Sequence, residues 1–72
     1  MKKINKTAAR KLWNDKKEFV IVSCNLRPEY GIRVRSEWTK LYRDFDHFLT
    51  YFDAHNCGDS ERGRYAAYYV DE

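Results

Sequence analysis

Trp38, Leu41, Tyr42, Phe45, Phe48, Leu49 and Phe52 recur at steps of three and four residues. This spacing puts them on one face of a helix, and it predicts an amphipathic helix from Trp38 to Asn56. Ser36 or Thr39 can cap its start, Glu37 suits the positive end of its dipole, and Asn56 or Gly58 ends it. Its wet side pairs Lys40 with Asp44 and Arg43 with His47 at four-residue spacing.

Upstream, Ile4, Ala8 and Leu12, with Trp13 beside them, make one narrow apolar stripe and predict a short N-terminal helix. Thr7 or Asn5 can cap it, and Asn14-Asp15 stops it. Phe19 to Cys24 is β-branched, aromatic and apolar on both faces, as a central strand would be. Asn25 to Gly31 is the connection and holds Pro28. Ile32 to Arg35 alternates, with Ile32 and Val34 inward and Arg33 and Arg35 outward. Gly58 to Gly63 reads as a loop, and Arg64 to Val70 as the last strand. In that strand Tyr65, Ala67 and Tyr69 share one face, and Ala66, Tyr68 and Val70 the other.

The predicted fold is therefore α+β, in the order α-β-β-α-β. A three-stranded antiparallel sheet is packed by one long amphipathic helix, with a short N-terminal helix added. The first strand lies between the other two. The 72 residues make a single domain, 1–72, without repeat or linker.

Composition adds how such a small chain closes a core. Aromatic residues are 17% of the sequence, including six tyrosines, and each ring can bury about 150–250 Å². One small core cannot hide them all, so some tyrosines are expected at the surface. Charge is uneven. Residues 1–17 carry seven cations against Asp15 alone, a net of +6, whereas 37–72 carry four cations against eight carboxylates, a net of −4. A basic front and an acidic back favour an oriented encounter with a charged partner.

Cys24 and Cys57 are too few for a disulfide framework. No apolar segment follows the basic N-terminus, and no apolar run approaches membrane-spanning length. A cytoplasmic protein with reduced thiols is expected, with no membrane attachment and a homodimer left open.

Asp53, His55 and Cys57 group three ligand types near the helix end, with Cys24 and His47 as the distant candidates. Structural zinc needs four ligands at a recognisable spacing, so the group reads as a helix terminus, and no metal or cofactor is expected. Cys57 with His55 or His47 lacks an oxyanion hole and an orienting group. A small ribonuclease built on His47, Arg62, Arg64 and a tyrosine is conceivable but has no motif behind it. The chain is not expected to be an enzyme.

Two binding surfaces remain. Arg33, Arg35, Arg62, Arg64, Tyr65 and Tyr68 combine the residue types of protein-binding hot spots. Alternatively Lys3, Lys6, Arg10, Lys11, Arg33 and Arg35 make a basic stripe for nucleic acid, with the tyrosines of the last strand stacking bases.

Three stretches carry a resemblance: Thr7 to Pro28, Phe45 to Cys57, and Glu61 to Val70. They contain Cys24-Asn-Leu-Arg-Pro28, Asn56-Cys57 and Glu61-Arg-Gly-Arg-Tyr65. Together they resemble small proteins encoded by phages and mobile elements of Gram-positive bacteria. His55 and the alanine before it stand where tyrosines are expected in that group. The resemblance implies a stoichiometric binder of anti-defence, anti-CRISPR-like type that inhibits or modulates a host protein or ribonucleoprotein complex. An accessory or regulatory protein that binds nucleic acid is the alternative.

Overall fold

The computed structural model describes residues 1–23, 27–57 and 66–71, and for 53–57 the backbone alone. The elements are β1 (Lys2–Ile4), α1 (Lys6–Asn14), β2 (Phe19–Val22), β3 (Ile32–Val34), α2 (Phe45–Cys57) and β4 (Ala67–Val70). Short 3-10 turns span Pro28–Tyr30 and Ser36–Lys40. The sheet order is β1-β4-β2-β3, with every neighbouring pair antiparallel.

β2 lies between β3 and β4, as its apolar faces predict. Among the described residues, however, the sheet has four strands and not three. β1 was missed because Lys2-Lys3-Ile4 is too short and too polar to show a strand pattern. An edge strand tolerates that composition, since lysine there discourages pairing with another chain. β1 and β2 both run antiparallel to β4, so they are parallel to each other and joined by α1. β3 and β4 stand in the same relation to β2 and are joined by α2. The fold is two interleaved split β-α-β units.

Asn5 decides where α1 starts. Its side chain accepts from Ala8 N at 2.8 Å, and its carbonyl from Ala9 N at 3.0 Å. Ile4 is thereby excluded from the helix and spends its side chain on the core from β1. At the other end Lys16 N donates to Trp13 O and Lys17 N to Leu12 O, with Lys16 at φ 60°. These paired bonds are the Schellman stop, and they place Lys16 where glycine is the usual residue.

α2 begins seven residues later than the apolar spacing predicts. Asp44 Oδ1 accepts from His47 N at 2.8 Å, and Asp44 O from Phe48 N at 3.1 Å, so Asp44 caps a helix that starts at Phe45. His47 Nδ1 accepts in turn from Arg43 N at 3.0 Å, a reciprocal arrangement like a capping box. Trp38 sits on the preceding 3-10 turn and still reaches the core, 5.9 Å from the Phe48 ring. Leu41 does not, and is 72% exposed.

Both helices cover the same face of the sheet. Ala9 and Trp13 of α1 and Phe45, Phe48, Leu49 and Phe52 of α2 close over Phe19, Ile21, Val34 and Tyr68. Trp13 stacks on Phe48 at 5.0 Å, and Phe19 meets Phe45 edge-on at 6.0 Å. Such ring pairs contribute about 0.5–1.5 kcal/mol each beyond the area they bury.

Val20 and Val22 point to the other face and are also buried. Gly31, in extended backbone, lies against them. A Cβ there would stand 2.5 Å from Val20 Cγ1 and 2.8 Å from Val22 Cγ2. Among the described residues no helix is long and apolar enough to cross a membrane.

Candidate binding surface

Strand pairing aligns one row of side chains across the whole sheet. Lys3 on β1 faces Tyr69 on β4, Tyr69 faces Val20 on β2, and Val20 faces Arg33 on β3. The row lies on the face opposite the two helices, because side chains alternate and Tyr68, the neighbour of Tyr69, belongs to the helix-covered core. A cation therefore stands near each edge of the sheet, with a half-buried phenol and an aliphatic residue between them.

Carboxylates hold the arginines of this face. Arg33 Nη2 lies 3.0–3.1 Å from both carboxylate oxygens of Asp71, just beyond β4. The pair reaches across β2 with the carboxylate largely open to solvent. The hydrogen bond to Asp71, and then its charge, raise the Arg33 pKa above the ordinary guanidinium value. Arg35 Nη1 stands 3.7 Å from Glu18 Oε1, a looser pair at the foot of β2.

Arg33 and Arg35 thus share the exposed-face position read from the sequence. Tyr68 does not. It is 3% exposed, pairs with Ile21 and Ile4, and packs on Phe19 and Phe45. Its assignment to a contact surface is corrected by the pairing register, which gives the outer place to Tyr69. Arg62, Arg64 and Tyr65 lie outside the described residues.

The expected nucleic-acid stripe is not assembled as one surface. Lys3, Arg33 and Arg35 are on the sheet, whereas Lys6, Arg10 and Lys11 are on α1, which packs on the opposite face. Arg10 donates from Nη1 and Nη2 to the two carboxylate oxygens of Asp46, 3.0 Å each, and lies 5.6 Å from the Phe45 ring centre. The hydrogen bond to Asp46 raises its pKa despite partial desolvation. Lys11 Nζ is 3.1 Å from Asp15. Arg10 thus ties α1 to α2, and Lys11 pairs locally at the end of α1.

Tyr69, Asp71 and Glu18 join this face beyond the residues expected from the sequence. Tyr69 was legible from alternation on β4 once Tyr68 was given to the core. Asp71 and Glu18 had no local signal, since each lies just outside a strand and meets an arginine distant in sequence.

His47 is engaged structurally, with Nδ1 in the α2 cap and its ring edge-on to Tyr42 and Tyr51 at 5.9 and 5.2 Å. Asp53, His55 and Cys57 fall on the last turns of α2, where side chains are not described, and Cys24 lies outside the described residues. Among the described residues no three His, Cys, Asp or Glu side chains group closely enough to hold a metal.

Comparison with family models, curated proteins and solved structures returned no match.

Proposed function

We propose that this chain is a non-catalytic binding protein that engages a protein or ribonucleoprotein complex through the outer face of its sheet, and so inhibits or modulates that complex. The observation that carries the reading is the Lys3–Tyr69–Val20–Arg33 row, with Arg33 held by Asp71. Tyrosine and arginine are among the residues enriched at binding hot spots. A partner surface that receives the Tyr69 ring, with an acidic group toward the Lys3 edge, would match the row. The resemblance to mobile-element proteins supports a host defence complex as the partner class, met in the cytoplasm.

Nucleic-acid backbone binding is the weaker alternative. Its affinity comes from cations that exchange condensed counterions for phosphate, and Arg10, Arg33 and Arg35 already have carboxylate partners.

The test is recovery of a partner complex from host lysate by the immobilised chain. Wild type should recover it, Tyr69→Ala and Arg33→Ala should each lose it, and Lys11→Ala on α1 should keep it. Retention by either sheet variant would sink the reading. So would binding to mixed-sequence duplex DNA at about 50 mM salt, with the steep salt dependence of phosphate contacts.

A further inference from the structure

Three cations converge on a cleft in the helical layer, away from the sheet row. Lys16, Lys40 and Arg43 line it with Trp13, Asn14, Thr39 and Asp44. The cleft holds about 230 Å³, below the roughly 300 Å³ at which pockets take whole drug-sized ligands. It has room for a charged group and part of the small molecule that carries it. Trp13, 4% exposed, anchors the cleft to the core.

Charge at the cleft is unbalanced. Among the described residues Lys16 and Lys40 have no ion pair. Among the described residues Arg43 forms an ion pair only with Asp44, the next along the chain, at 3.8 Å. Three cations against one carboxylate leave two positive charges in excess. The Thr39 hydroxyl gives its proton to Ser36 O, so the donors toward a ligand are the two ammonium groups, the guanidinium and the Asn14 amide.

Lys16 is a costly way to build this turn. It sits at φ 60° in the Schellman stop of α1, where glycine adopts the conformation without strain. A lysine there lines a cleft that glycine would leave without that charge.

We propose that the Lys16–Lys40–Arg43 cleft binds a phosphate monoester. Its excess of two charges complements a group that approaches two negative charges at neutral pH, whereas a diester carries one. The site is independent of the sheet face, so either can fail without the other.

The experiment is a ¹⁵N–¹H NMR titration of the full chain at fixed ionic strength with phenyl phosphate, and separately with dimethyl phosphate. Phenyl phosphate should give saturable shifts at the amides of Lys16, Lys40 and Arg43. Lys16→Gly and Lys40→Ala should each weaken it about tenfold, the scale of one charge-assisted hydrogen bond. Lys17→Ala, beside the cleft but not lining it, should leave it unchanged. A circular dichroism spectrum of Lys16→Gly matching wild type separates lost binding from unfolding. Equal affinity for dimethyl phosphate, shifts that never saturate, or unchanged affinity in both cleft variants would each overturn the proposal.

Discussion

Arg10 on α1 grips Asp46 on α2 through two hydrogen bonds of 3.0 Å, and joins the two crossovers of the interleaved units. Both side chains are a little under half exposed, so solvent screens much of the Coulombic attraction. Two-point geometry and the nearby Phe45 ring favour the upper part of the range for such pairs. A double-mutant cycle of Arg10→Ala and Asp46→Ala, followed by urea denaturation, should give a coupling of about 0.5–1 kcal/mol. The coupling should shrink as salt rises.

Asp44 and not Ser36 or Thr39 is the cap of α2. Asp44→Ala should destabilise the protein by about 1 kcal/mol, the usual cost of a lost N-cap. Ser36→Ala should stay within about 0.5 kcal/mol, since its side chain is no cap. Chemical denaturation of the two variants separates these outcomes, and equal losses would remove the assignment.

That difference shows what was legible in the sequence. Apolar spacing reports most of the residues that face a core: from Trp38 to Phe52 every member but Leu41 reaches it, because the 3-10 turn and the helix both pack against it. It does not report where the backbone stops being an α-helix. The information was in Asp44-Phe-Asp-His47, a polar cap competing with continuation of the helix. Likewise β2 was readable because both of its faces are buried, whereas β1 gains its strand form only from pairing with β4. The outer-face arginines were found by alternation. Their partners Asp71 and Glu18 were not, because those contacts depend on tertiary placement.

Gly31 is needed for space and not for backbone freedom, as its φ of −78° suits any residue. Gly31→Ala should destabilise by about 1–3 kcal/mol, the usual cost of overpacking, since the new methyl meets Val20 and Val22 well inside contact distance. Val22→Ala should relieve part of that clash, so the double variant should be more stable than the two single losses added together. Strict additivity in thermal or urea unfolding would contradict this account.

Lys16→Gly should raise stability by about 1 kcal/mol, because a non-glycine residue in the left-handed region carries a penalty that glycine avoids. Part of the gain is offset by glycine's greater freedom in the unfolded chain. A rise in urea midpoint at unchanged slope is the expected reading. A fall would mean that the Lys16 side chain contributes more to folding than its backbone geometry costs.

Tyr68 and Tyr69 are adjacent in sequence and opposite in role. Tyr68 is enclosed by Phe19, Phe45, Ile4 and Ile21, so Tyr68→Ala should cost about 3–5 kcal/mol, as large aromatic truncations in cores do. A 72-residue domain with a thin stability margin would lose much of its folded population. Tyr69 lies in the outer row between Lys3 and Val20, where truncation removes one half-buried ring. Tyr69→Ala should cost about 1 kcal/mol, a typical value for a substitution that empties no core site. Circular dichroism and urea unfolding should therefore show Tyr69→Ala folded and Tyr68→Ala severely weakened. Partner recovery should then fail for Tyr69→Ala although the fold is intact. If Tyr69→Ala recovers the partner as well as wild type does, the ring in the middle of the row contributes nothing to recognition and the proposed surface is wrong.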